Sequence, residues 1–140
     1  MKKLSIIVPV YNEERTLKTI LEKIKKTRLK NVKKEIIIVD DASTDGTKKI
    51  LENIKDKSIK IIRHKKNMGK GYAIRTALNS ITGDIILIQD ADLEYDPNDY
   101  AKLIKPIIEK KVDVVYGSRI LNQKSKYSRF AYYAAGRSLT

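Results

Sequence analysis

Short apolar runs alternate with segments of helical period along this chain, and that alternation leaves few architectures open. The runs fall at Leu4 to Val10, Glu35 to Val39, Ile59 to Arg63, Asp84 to Gln89 and Val112 to Tyr116. Between them Leu17, Ile20, Leu21 and Ile24 share one helical face, as do Ile50, Leu51 and Ile54, and then Ala73, Ala77, Leu78 and Ile81. The pattern reads βαβαβαβαβ. Near-continuous apolar strands joined by amphipathic helices predict an α/β fold: a mostly parallel sheet with right-handed crossovers and helices on both faces. Ligands of such sheets gather at the carboxyl ends of the strands. A further helix is expected from Pro97, capped by Asp96 and carrying Tyr100, Leu103, Ile104, Ile107 and Ile108. Pro106 removes an interior hydrogen bond, so a kink or an early end is expected near Lys105.

With 140 residues, 41% of them hydrophobic, the chain has material for one compact domain with a core. The absence of cysteine excludes disulfides, thiolate metal centres and cysteine nucleophiles, and fits a reducing, cytoplasmic setting. The aliphatic runs fall far short of the roughly 20 residues that span a bilayer, and Met1-Lys2-Lys3 leads straight into a strand pattern, so no membrane crossing or signal peptide is expected. A formal net charge of +13 predicts attraction to an anion, whether nucleic acid, phosphorylated ligand or acidic lipid surface. No nucleic-acid recognition module is legible, so nucleic acid is not expected as the partner.

The strand exits carry the chemistry. After the fourth run, Asp90-Ala91-Asp92-Leu93-Glu94 ends an apolar stretch in carboxylates spaced two apart, a pattern that suits Mg²⁺ or Mn²⁺ bridging protein oxygens to substrate phosphates. A calcium loop is excluded, because Tyr95 and Ala101 stand where that motif needs glycine and glutamate. After the first run come Tyr11, Asn12 and Glu13, and after the second Asp40-Asp41-Ala42-Ser43. Asn12 and Ser43 read as helix caps, and Asp45-Gly46 as a turn. Tyr11, Glu13, Asp40 and Asp41 have weaker structural reasons to be there. Two adjacent acids at a buried strand end repel, and need backbone amides, a base edge or ribose hydroxyls to compensate them. Asn67-Met68-Gly69-Lys70-Gly71 opens a helix, where amides and Lys70 meet an anion; it is neither a Walker loop nor a dinucleotide fingerprint. His64, among lysines, reads as a surface residue rather than a base.

Taken in order, Ser5 to Glu13, Ile38 to Gly46, Asn67 to Gly71, Asp90 to Asp92 and Val114 to Arg119 resemble the motifs of family 2 glycosyltransferases. The branch they are most similar to is that of dolichol-phosphate mannose synthases and other polyprenyl-phosphate hexosyltransferases. The resemblance implies a GT-A fold, Rossmann-like, with a nucleotide-sugar core over residues 1–118. Residues 119–140 would then be a basic, aromatic tail that begins an acceptor- and membrane-facing region.

By matching position, the resemblance implies that Pro9, Tyr11, Glu13, Val39 and Asp40 or Asp41 line the nucleoside pocket, with Asp90 and Ala91 along the ribose and diphosphate. Asp92, with Asp90 and Glu94, would hold the divalent metal, and Arg119 would face the acceptor phosphate or the donor diphosphate. Ala42 replaces the glycine commonest in the Asp-Asp-Gly-Ser motif, a small change unless that position needs positive φ. The implied reaction is inverting transfer of mannose or glucose from a GDP- or UDP-sugar to a polyprenyl (dolichyl) phosphate. A phosphate acceptor is largely anionic at neutral pH and needs no base. Arg119, Lys124, Lys126, Arg129 and Arg137, interleaved with Tyr127, Phe130, Tyr132 and Tyr133, suit a peripheral position at the cytoplasmic face of an anionic membrane.

Overall fold

The computed structural model describes residues 1–117. In chain order its elements are β1 (Lys2–Val10), α1 (Leu17–Lys26), β2 (Val32–Asp40), α2 (Thr47–Glu52), β3 (Ile59–Arg63), α3 (Lys70–Leu78), β4 (Ile85–Ile88), a 3-10 turn (Pro97–Asp99) and α4 (Tyr100–Ile108). The strands form one 4-stranded sheet in the order β3-β2-β1-β4, with every pairing parallel. This is the α/β arrangement that the alternating pattern predicts.

Side chains alternate across the sheet. Leu4, Ile6, Val8 and Val10 of β1 join Ile36 and Ile38 of β2 in a cluster with Leu17, Ile20 and Ile24 of α1 and with Tyr100 and Ile104 of α4. Ile7, Ile37 and Val39 face the other way, against Ala73 and Ala77 of α3. Both faces of β1 are covered, which is why its apolar run is continuous rather than alternating. Full burial contributes about 1.5–3 kcal/mol for each such aliphatic side chain.

Toward the amino ends of the strands, Glu35 accepts from Ser5 Oγ at 2.5 Å and from the Thr82 N–H at 2.6 Å, and pairs with Lys3. Gly83 passes so close to β1 that a Cβ there would lie 2.8 Å from the Lys3 carbonyl oxygen and 2.9 Å from the Ser5 nitrogen. This polar knot fixes one end of the sheet and leaves the other for ligands.

Two expectations are corrected. Helix α4 continues past Pro106 to Ile108 instead of stopping near Lys105. The absent N–H falls in the last turns, where the chain closes with the Glu109 N–H on the Lys105 carbonyl and the Lys111 N–H on the Pro106 carbonyl, both at 3.0 Å. Asp96 does cap the preceding turn, accepting the Asn98 N–H at 3.0 Å. Second, Val112 to Tyr116 is irregular chain and no strand, with Val114 and Tyr116 largely exposed. A strand-like composition makes a strand only beside a neighbour that completes its hydrogen bonds, and among the described residues this run has none. Among the described residues β4 is therefore the last strand on its side of the sheet, and its Ile86 and Ile88 are exposed by 44% and 50%. Among the described residues no helix is long and apolar enough to cross a membrane.

Candidate functional site

β1 and β2 run in register, Pro9 beside Val39 and Val10 beside Asp40, so their exits leave the sheet together. Asn12 and Ser43 are not the helix caps expected. Asn12 Oδ1 accepts the Thr44 N–H at 2.8 Å, and Ser43 Oγ accepts the Asn12 N–H at 2.9 Å, so the pair staples one exit loop to the other. Asn12 takes φ 55°, a left-handed conformation that asparagine tolerates, and α1 starts later, after Thr16, without a side-chain cap. Glu13 is drawn into the same junction: its N–H donates to Thr47 Oγ1 at 2.9 Å and its carboxylate accepts from Thr16 Oγ1 at 2.5 Å. Tyr11 remains exposed. Ala42 has φ 62°, so the replacement of glycine falls where positive φ is required.

The adjacent acids are compensated by the protein itself, on opposite sides. Asp40 is fully buried, its Oδ1 accepting the Ser43 N–H at 2.9 Å. Its other oxygen lies 3.2 Å from Arg63 Nε, an ion pair in which the N–H is not aimed at the carboxylate, so Oδ2 has no hydrogen-bond donor among the described residues. Arg63 is the register partner of Asp40 across β2 and β3, and its Nη2 also reaches the Ser43 carbonyl at 3.2 Å. A cavity of about 210 Å³ opens beside them, lined by Asp40, Arg63, Lys48, Leu51, Glu52 and Ile61.

Asp41 turns to the α3 side. His64 Nδ1 lies 2.6 Å from its Oδ1, and its oxygens accept the Met68 N–H at 2.9 Å and the Gly69 N–H at 2.7 Å. Burial alone would raise the Asp41 carboxyl, but the His64 hydrogen bond, those amides and the charge of His64 together hold it below its ordinary value. His64 is therefore no surface residue: its side chain is 10% exposed, with Nε2 2.8 Å from Thr76 Oγ1 and the ring edge-on to Tyr72. The register that pairs Asp40 with Arg63 sets Asp41 beside His64, a signal readable from sequence only once the strands are known to be parallel and aligned.

The turn held by Asp41 delivers Lys70. Gly69 sits at φ 89°, accessible essentially to glycine, and from it α3 begins. Lys70 Nζ reaches Asp90 at 2.6 Å and 2.8 Å, bridging α3 to the loop after β4. That loop is braced from below by Gln89, which is buried; its Nε2 donates to the carbonyls of Asp90 at 2.9 Å and Tyr95 at 3.2 Å. A glutamine closing an apolar run was the signal for this brace. Ala91 is buried beside it, and Leu93 is held at φ 67°.

Asp92 is exposed, with Oδ1 accepting the Glu94 N–H at 3.0 Å. Among the described residues no group of three or more acidic, histidine or cysteine side chains is gathered to hold a metal, so Asp90, Asp92 and Glu94 form no ready-made cage. Mg²⁺ and Mn²⁺ need none where one or two carboxylates and substrate phosphates complete the shell. The hard oxygens of Asp90 and Asp92 fit an ion of that kind. Arg119 lies outside the described residues.

A parallel sheet whose carboxyl edge carries paired acids, a glycine-lysine turn and an Asp-Ala-Asp loop has the architecture of a GT-A glycosyltransferase domain. The chain belongs to glycosyl transferase family 2, whose model matches residues 5–137. It is 36% identical over 133 residues to the undecaprenyl-phosphate 4-deoxy-4-formamido-L-arabinose transferase of Proteus mirabilis, a match covering 92% of this chain and 40% of that protein. It is 35% identical over 140 residues to the UDP-N-acetylglucosamine–dolichyl-phosphate N-acetylglucosaminyltransferase of Methanococcus voltae, covering 88% of this chain and 54% of that one. The chain thus spans about half the length of these relatives or less. Its fold is similar to that of S. aureus TarS 1-349 in complex with UDP-GlcNAc, with TM-score 0.65 and 31% identity over 77% of this chain and 31% of that one. It is also similar to the mannosyltransferase PcManGT from Pyrobaculum calidifontis in complex with GDP-Man and Mn²⁺, with TM-score 0.59 and 32% identity over 70% of this chain and 30% of that one.

Proposed function

We propose that this chain carries the donor side of a metal-dependent, inverting glycosyltransferase that moves a hexose, mannose or glucose, from a GDP- or UDP-sugar to a polyprenyl (dolichyl) phosphate. The observation that carries the reading is the 2.6 Å pair between Lys70 and Asp90, because it brings a cation on a helix start against the first carboxylate of the Asp-Ala-Asp loop. Charge that develops on a departing nucleoside diphosphate is stabilised by groups of this kind. Pro9, Tyr11, Glu13, Val39 and Asp40 or Asp41 line the nucleoside end. Asp90 and Ala91 follow the ribose and diphosphate, with Lys70 beside them. Asp92, with Asp90 and Glu94, holds Mg²⁺ or Mn²⁺, which supplies Lewis-acid stabilisation of the diphosphate when bound.

The acceptor reading draws on the relatives, both named as transferases to a polyprenyl phosphate. A phosphate monoester, with a second pKa near about 6, attacks as an oxyanion without a protein base. Arg119 meets that phosphate or the donor diphosphate, and the basic, aromatic residues 119–140 rest peripherally on an anionic, cytoplasmic membrane face.

A thermal-shift panel tests the donor reading: GDP-mannose, UDP-glucose, UDP-GlcNAc, GDP and UDP, each with and without Mn²⁺. One base should raise the melting temperature more than the other, and more with the metal. If no nucleotide raises it, the donor reading fails. Binding without product on any polyprenyl phosphate would reduce the function to donor binding alone.

A further inference from the structure

His64 makes contacts that the donor reading leaves unused. A carboxylate only accepts hydrogen bonds, so Nδ1 of His64 carries the proton it shares with Asp41, and Nε2 is left for Thr76. Asp41 uses its remaining capacity on the Met68 and Gly69 amides. One imidazole therefore fixes the carboxylate that fixes the turn. The turn in turn aims Lys70, whose side chain is 57% exposed and is directed by its backbone and by Asp90 rather than by packing. Gly69 gives the turn no side chain of its own, and nothing would touch a Cβ there within 4 Å; its N–H is held most closely by Asp41, at 2.7 Å, with Asn67 Oδ1 farther off at 3.2 Å.

We propose that His64 is a positioning residue for the nucleoside diphosphate: through Asp41 it locks the Met68–Gly69 turn and so sets Lys70 against the diphosphate beside Asp90. This rests on the donor reading above. The role differs from that of a base, since His64 is sequestered beneath the turn between Asp41, Thr76 and Tyr72 and need not touch the ligand. It also differs from simple core filling, because it requires a donor at the Nδ1 position and not merely a side chain of similar volume.

That requirement makes the test. His64→Asn places an amide donor where Nδ1 stands, keeping the contact to Asp41; His64→Gln places it where Nε2 stands, keeping Thr76 and losing Asp41. Nucleotide affinity is measured by calorimetry with UDP and with GDP in Mn²⁺, for wild type, both variants, Lys70→Ala, and His64→Gln combined with Lys70→Ala. His64→Gln should weaken binding about tenfold, the scale of one charge-assisted hydrogen bond, while His64→Asn stays within about threefold of wild type. Because the residue acts through Lys70, the double variant should bind about as weakly as Lys70→Ala alone. Equal affinity in His64→Gln, or losses that multiply in full in the double variant, overturns the role of His64 while the donor reading stands. A wild type that binds neither nucleotide overturns both.

Discussion

Tyr100 donates its buried hydroxyl to Gln89 Oε1 at 2.7 Å, and through that bond helix α4 holds the floor of the carboxylate loop. Burial, with the charge of Asp96, pushes the phenol up, so it stays a donor at any working pH. Gln89 spends its other end on the carbonyls of Asp90 and Tyr95, closing the loop that displays Asp92. Tyr100→Phe should cost about 1–3 kcal/mol in urea unfolding, since it leaves a buried amide oxygen without its partner. Gln89→Leu should weaken Mn²⁺-dependent nucleotide binding more than Tyr100→Phe does, because it frees the loop itself. Equal affinity in Gln89→Leu and wild type would remove the brace from the site.

Ala42 occupies the left-handed region in the loop that leaves β2, φ 62°, where an L residue with a Cβ is strained by roughly 1–2 kcal/mol. Ala42→Gly relieves that strain and loses some of it to the greater freedom of an unfolded glycine. The expected net gain is about 0.5–1 kcal/mol. Ala42→Val should destabilise by more than about 1 kcal/mol, since a β-branched residue fits this region poorly. A denaturation midpoint that falls in Ala42→Gly would show that the loop does not need positive φ in solution.

The sheet was legible because period and length are local signals: the runs at Leu4 to Val10 and Ile59 to Arg63 become β1 and β3 with little change at their ends. Val112 to Tyr116 misled for the same reason, its composition being local while its partner is not. In the site, sequence reasoning located the acids and Lys70 and expected backbone amides to compensate the paired acids, as those of Ser43, Met68 and Gly69 do, but not the basic side chains beside them. Arg63 and His64 answer Asp40 and Asp41 only through strand register, a relation between residues 23 apart in the chain. Asn12 and Ser43 carry the chemistry of caps, yet which amide each meets is decided by two loops leaving adjacent strands.

Glu35 gives the fold a defined response to acid. Burial alone would raise its carboxyl, but hydrogen bonds from Lys3, Ser5 and Thr82 lower it from 4.5 to about 2. A carboxyl whose pKa is lower in the folded state stabilises fully above its unfolded value, and that contribution is lost as pH falls through the folded one. Stability should therefore decline between about pH 4.5 and 2 from this group. Asp41, Asp45, Asp56 and Asp84 are also held below their ordinary values, so the share of Glu35 is read as the difference between wild type and Glu35→Gln. That variant should lose about 1–3 kcal/mol at neutral pH and show a flatter acid limb. Parallel acid limbs in the two proteins would mean that the Lys3, Ser5 and Thr82 contacts do not persist in solution.

Asp92 offers the sharpest separation of function from stability. Its side chain is exposed, and the contact it makes is local, Oδ1 accepting the Glu94 N–H. An asparagine carbonyl can accept the same bond, so Asp92→Asn should leave the unliganded melting temperature within about 2 °C, the ordinary range for surface substitutions. The variant loses a negative charge and an oxygen donor, which a hard divalent ion feels directly. The extra stabilisation that Mn²⁺ gives to nucleotide binding should therefore disappear, and any transfer to a polyprenyl phosphate should fall at least about 100-fold. Lys70→Met makes the complementary loss: it removes the cation and leaves the carboxylates, so its metal response should persist while nucleotide affinity drops. If Asp92→Asn keeps the full metal response, the ion is held elsewhere and the Asp-Ala-Asp loop serves the ribose alone.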